Sequence, residues 1–160
     1  MTTTNNQTHT SETTQLDSLY NVLNVQIANW SLLYTKLHNF HWYVKGENFY
    51  TLHAKFEELY DQVTGYMDDV AERLLAIGGR PVATMKEQLE LSTLLEATGN
   101  ESANQMVSSV VEDFATLSGE MSDAIILAEE LSDHPTADLL TGIRGEVEKA
   151  AWMLNAYLGR

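Results

Sequence analysis

Three of the five histidines in this 160-residue chain, His38, His41 and His53, fall within sixteen residues, and the stretch that follows carries Glu57, Asp61, Asp68 and Glu72. Imidazole and carboxylate are donors that Fe, Mn and Zn accept. If the stretch is helical, positions 53, 57, 61, 68 and 72 lie at about 0°, 40°, 80°, 60° and 100° around the axis, so His53 and four carboxylates share one narrow stripe. A charge stripe on its own is ordinarily a solvated face. Here His41 also occupies a position in an apolar stripe, between Leu37 and Val44, which aims a titratable ring into a packed surface. The plainer alternative is a core histidine bonded to a neighbour. With no cysteine, the chain has no thiolate metal site, disulfide or cysteine nucleophile, and His and carboxylate are its only strong ligands.

Distance then limits how these residues combine. His41 and His53 flank Gly46 closely, whereas Asp68 and Glu72 lie about 22 and 28 Å beyond His53 along a helix. One ion cannot reach both sets within a single chain. Two copies packed antiparallel across a twofold axis bring the histidine end of one to the Asp68/Glu72 end of the other and form two equivalent sites. The usual site inside one four-helix bundle is excluded, because no histidine here has Glu three residues before it. A Gly-rich phosphate loop, a Gly-x-Ser-x-Gly elbow and a His-Glu-x-x-His pair are all missing from the sequence. Trp42 and Trp152 read as packing residues, with Trp42, next to His41, also placed to donate an electron at a redox metal. Glu129, Glu130, Asp133 and Asp138 form an acidic cluster that is a solvated helix end in a monomer and a pore ring in a symmetric assembly.

The elements that position these residues are helices. Large apolar residues at 16, 20, 23, 27, 30, 34, 37 and 44 predict a helix from Leu16 to Val44, with Thr14 and Asp17 as a capping box at its start. A second apolar set on it, Leu19, Val22, Leu33 and Phe40, predicts a second buried surface, available as the contact between two copies. Asn48 is the expected cap of a helix from Phe49 to Ile77 that ends at Gly78, Gly79 and Pro81. A long connection follows, with a short helix near Thr84 to Leu91. Ser102 and Gln105 form a capping box for a helix to about Leu131, and Pro135 starts a last helix over Thr136 to Leu158. The predicted architecture is all-α: residues 1–14 a flexible polar tail, and 15–160 a ferritin-like four-helix bundle with one long crossover.

Nine Lys and Arg stand against 23 Asp and Glu, a formal charge of −14, which disfavours nucleic acid and anionic membranes and favours cations. The polar start of the chain and the lack of an apolar run of about 18 residues predict a soluble, cytoplasmic protein with no membrane segment.

The stretch from His38 through Trp42, Gly46, Phe49, His53, Phe56 and Glu57 to Tyr60, continued by Met67-Asp68-Asp-Val-Ala-Glu72-Arg73 to Gly79, resembles the signature of the Dps family of mini-ferritins. The resemblance implies a hollow dodecamer that oxidises Fe(II), typically with hydrogen peroxide (dioxygen is the other oxidant), stores the ferric mineral and so protects the cell from oxidative damage. It implies iron ligation at His41, His53, Asp68 and Glu72, the last two from a partner subunit. Glu57 stands where the family more often has Asp, Trp42 matches a Trp near the site, and Glu129 to Asp138 match the lining of threefold pores. Family members that condense DNA commonly use a Lys/Arg-rich terminal extension. Residues 1–15 hold no basic residue, so direct DNA binding is not expected, and a DNA-condensing protein with a secondary metal site is the alternative reading.

Overall fold

The computed structural model describes the backbone of residues 5–160 and the side chains from Thr14 onward. Five helices follow in order: α1 Asn5–Tyr43, α2 Phe49–Ala76, α3 Met85–Leu91, α4 Ala103–Glu130 and α5 His134–Tyr157. Among the described residues there is no strand. α1 packs along α2 and α4 along α5, each pair joined by a short turn. α1 also meets α4, and α3 lies against α1 within the crossover between the two hairpins.

Each turn has a local cause. Gly46 takes φ +103° between α1 and α2. After α2, Gly78 takes φ +90°, and at Gly79 a Cβ would stand 2.1 Å from Leu74 Cδ1, so one glycine is needed for conformation and the next for space. Capping boxes open α3 at Thr84 with Glu87 and α4 at Ser102 with Gln105, the second as expected. Asn48 does not cap α2. Its backbone lies at φ −95°, ψ 16°, away from the extended geometry a cap uses, and its amide donates to the Tyr157 hydroxyl at 2.8 Å.

Two expectations about α1 are corrected. The helix begins at Asn5 rather than Leu16, so Thr14 lies inside it and Ser18 donates to the Thr14 carbonyl at 2.9 Å. No Gly or Pro precedes Gly46, so nothing interrupts the helical ladder there. Of the tail expected at 1–14, residues 1–4 and the side chains of 5–13 lie outside the described residues. The second apolar set is also spent within the chain: Leu19, Leu33 and Phe40 are fully buried and Val22 packs on the core, because α2, α4 and the crossover enclose α1 from three directions. This set is therefore not available as the contact between two copies.

α1 also buries polar residues, and they hold the crossover. Asn29 Oδ1 accepts from the Thr93 N–H and the Ser92 hydroxyl, both at 2.8 Å, while its Nδ2 donates to Thr93 Oγ1 and to Glu120. Gln26 and the Thr93 hydroxyl also donate to the Glu120 carboxylate. Farther along, the buried Lys36 pairs with Asp113 of α4 at 2.7 Å. Burial raises the Asp113 pKa above the ordinary carboxylate value against the opposing pull of Lys36. No helix among the described residues is long and apolar enough to cross a membrane.

Candidate metal centre

His41 lies in the last turn of α1 and His53 in the second turn of α2, so the Gly46 turn folds them face to face. Their rings stack with centroids 3.7 Å apart and planes 19° from parallel. His41 Nδ1 donates to the His53 carbonyl and His53 Nδ1 to the His41 carbonyl, both at 2.8 Å. The His41 carbonyl can accept because it belongs to the end of a helix, where no following N–H claims it. A carbonyl cannot donate, so each Nδ1 carries a proton, which in the neutral ring leaves Nε2 as the atom with the lone pair. This is the arrangement that fixes imidazole ligands in metal sites.

Glu57, one turn along α2 from His53, joins the pair: a ligand atom of each of His41, His53 and Glu57 lies within 4.8 Å of the others. His41 is buried, His53 half-buried and Glu57 exposed, so the group opens to solvent on one side. Asp61, Asp68 and Glu72 are exposed and stand outside it. Because α2 is continuous from Phe49 to Ala76, the spacing of about 22 Å from His53 to Asp68 holds. Within one chain, Glu57 is therefore the carboxylate that the fold brings to the histidines.

Aromatic rings wall the group. Phe49 stacks on His53 at 5.0 Å, and Tyr60 meets His41 edge-on at 5.5 Å. His38 lies flat on Tyr60 at 3.8 Å, its Nδ1 donating to the Tyr34 carbonyl. Desolvation, then the charges of Glu57 and Asp61, raise the Tyr60 pKa above the ordinary phenol value. The Tyr60–His38 stack escaped sequence reasoning. Its one signal was Tyr34, His38 and Trp42 at helical spacing. Trp42 and Trp152 are not packing residues within the chain. Each is 66% exposed, and Trp42 touches the edge of His38 at 5.2 Å, whereas the buried tryptophan is Trp30.

At the other end of the bundle, Glu129, Glu130 and Asp138 are exposed, but Asp133 is engaged. It caps α5 by accepting from the Thr136 N–H and hydroxyl and pairs with Arg73 at 2.6 Å. Burial acts to raise its pKa. The Thr136 hydrogen bonds and the Arg73 charge outweigh it and hold the carboxyl below the ordinary value.

The ferritin-like domain family matches residues 20–160. A Dps protein from Bacillus brevis superposes with a TM-score of 0.89 at 52% identity, covering 91% of this chain and 97% of that one. The chain belongs to the Dps family. Among other Dps relatives, the DNA protection during starvation protein 2 of Bacillus anthracis is 53% identical over 139 residues, 87% of this chain and 95% of that protein. A Vibrio cholerae Dps, described as a member of a broad superfamily of ferritin-like diiron-carboxylate proteins, matches at 35% identity and a TM-score of 0.88, covering 91% and 92%. The all-helical, ferritin-like plan read from the sequence is thus that of the Dps fold.

Proposed function

We propose that this chain is a mini-ferritin that oxidises Fe(II), with hydrogen peroxide or dioxygen as oxidant, and stores the ferric product as a mineral inside a hollow assembly. One observation carries the reading: the mutual locking of His41 and His53, which uses both Nδ1 atoms and leaves both Nε2 atoms as ligand positions beside Glu57. That donor set suits Fe(II) as substrate. The diiron-carboxylate kinship of the Vibrio cholerae protein supports it.

The stacked rings bear on how many ions are held. Planes only 19° from parallel do not direct two in-plane lone pairs at one point. The pair fits two ions side by side better than one ion chelated by both rings, at the spacing of about 3.5–4 Å common to two-metal sites. Two Fe(II) each give one electron, the O–O bond of peroxide takes both, and two protons from solvent complete two waters. Carboxylates Asp68 and Glu72 of a second copy complete the ligand set, since those of the same chain are out of reach. Where one Fe(II) is present alone, Trp42, the neighbour of His41 in sequence, supplies the second electron. Glu129, Glu130 and Asp138 guide iron to the interior at threefold pores of a dodecamer.

Protection of DNA, which the Bacillus anthracis name describes, follows in this reading from removal of iron and peroxide in the cytoplasm. The net charge of −14 works against direct contact with phosphate. The deciding experiment is anaerobic Fe(II) titration followed by peroxide, tracking ferric absorbance and the mass of the assembly. Stoichiometric ferric product retained in an intact cage supports the reading. Binding without oxidation, or a gel shift of DNA at physiological salt with no oxidation, would overturn it.

A further inference from the structure

The ligands divide three against two. His41, His53 and Glu57 converge within one chain, while Asp68 and Glu72 lie about 22 and 28 Å beyond His53 on the same helix. On the reading that the two sets meet across a twofold axis, an isolated chain offers the cations of one site three ligands and a pair of chains offers more.

What opposes that pairing is also visible. Glu57, Asp61, Asp68 and Glu72 are all exposed on α2, so the two surfaces that must meet are acidic, on chains of charge −14. The apolar face that sequence assigned to this contact is buried within each chain instead. Exposed apolar side chains remain, Tyr34 and Trp42 on α1, Leu75 on α2, and Met85 and Leu89 on α3, but none of them neutralises these carboxylates. Like charge brought together without a counterion is destabilising.

We infer that divalent cations control assembly of this protein: ion binding at His41, His53 and Glu57 and association of two copies through Asp68 and Glu72 are one coupled equilibrium. The cation neutralises the facing carboxylates and bridges them. Coupling is reciprocal, so whatever factor the partner's carboxylates add to ion affinity, the ion returns to association. Typical couplings are about 5–150-fold per ion, and the axis makes it act twice. Metal-poor chains then dissociate more readily, and iron supply itself drives formation of the compartment that stores it. Glu57 is central, because it lets the single chain capture the ion first.

Zn(II) and Co(II) test this without any redox step. Chelator-stripped full-length protein is diluted from micromolar to nanomolar, and its mass distribution is followed by mass photometry and sedimentation, with Mg(II) at equal ionic strength as the control for screening. Zn(II) is expected to lower the half-dissociation concentration at least about fivefold, and Mg(II) far less. Glu57→Gln and Asp68→Asn, acting from opposite sides of the site, should each diminish the Zn(II) effect while helicity by circular dichroism is unchanged. If the cage never dissociates in this range, exchange between isotopically heavy and light subunits by native mass spectrometry replaces dilution, and Zn(II) should slow it by a similar factor. Zn(II) bound by calorimetry with no change in association or exchange, or an equal effect of Mg(II), overturns the coupling and leaves iron oxidation standing. Failure of Zn(II), Co(II) and Fe(II) to bind the parent at all removes the metal centre itself.

Discussion

His41 and His53 each hold the other's backbone carbonyl through Nδ1, across a turn that brings the end of one helix against the start of the next. The bond that orients each ligand is thus also a bond that closes the hairpin. Folding of α1 against α2 and preparation of the metal centre are the same event, and a change at either ring disturbs both its own lone pair and its neighbour's orientation.

The shared site makes a direct prediction about mixed assemblies. A His41→Ala/His53→Ala chain and an Asp68→Ala/Glu72→Ala chain, each inactive alone, should regain iron oxidation when refolded together, since some interfaces then pair intact histidines with intact carboxylates. Stopped-flow absorbance on cages of verified mass measures it. No recovery in correctly assembled mixtures would overturn the shared site.

The crossover should loosen when its polar anchor is cut. Asn29→Ala strands the Thr93 N–H, the Ser92 hydroxyl and part of the Glu120 carboxylate, each previously satisfied by Asn29. A cost of about 0.5–1.5 kcal/mol is expected from these part-buried hydrogen bonds. Hydrogen exchange should rise across residues 80–102 and stay near the parent level at the centre of α2. Protection unchanged in the crossover would show that Leu94 and its apolar neighbours hold it alone.

Lys36 and Asp113 should behave as a pair. Removing Asp113 alone leaves a buried ammonium, at a cost of about 3–5 kcal/mol, whereas Lys36→Met/Asp113→Leu should recover most of that loss. Denaturant unfolding of both singles and the double provides the comparison. Additive losses would mean that the two sites act independently.

Stability in acid should report on Asp133. Its folded-state pKa lies below the unfolded value, so its contribution is complete above the unfolded pKa, about 3.9, and is lost as pH falls through the folded one. Asp133→Ala should therefore lower Tm at pH 7 by the loss of a helix cap, about 1 kcal/mol, with further loss from the stranded Arg73. The gap between parent and variant should narrow below about pH 4. A gap independent of pH would mean that the carboxylate charge is irrelevant to the cap.

The same cap changes how iron entry is to be tested. Neutralising Asp133 would damage α5, so Glu129→Gln/Asp138→Asn is the cleaner pair, both residues being exposed. Iron uptake should slow and lose part of its dependence on ionic strength, because focusing by a charged ring is screened over about 10 Å at 0.1 M salt. Rates equal to the parent at low salt would give iron another route.

Much of this was legible in the chain because it rests on period and punctuation. Apolar spacing of three and four, Gly46, Gly78 and Ser102/Gln105 locate the helices, and rise per residue alone separates His53 from Asp68. What was not legible depends on orientation about a helix axis. Leu19, Leu33 and Phe40 are apolar whether a neighbouring chain or the crossover covers them, so the sequence could not tell which. Asp133 reads equally as a cap or as one more acid in a cluster, and Arg73, sixty residues away, decides it. The mutual lock of His41 and His53 needs two carbonyls, which carry no sequence signature at all.

The edge between α2 and α5 differs from the others. Their backbones meet sparingly, and side chains tie them at three levels, Arg73 to Asp133, Tyr66 to Glu146 and Asn48 to Tyr157, around a groove floored by Lys55, Glu58 and Met153. The opposite edge, α1 against α4, carries the Lys36 pair and the Asn29 anchor. In mechanical terms the bundle is a book bound along α1 and α4 and clasped along α2 and α5. Were the clasp to open, α2 would swing together with α1, its most extensive partner, as one leaf. His53, Glu57, Asp68 and Glu72 all ride on that leaf as one rigid body, so such breathing moves them together and leaves their mutual spacing unchanged.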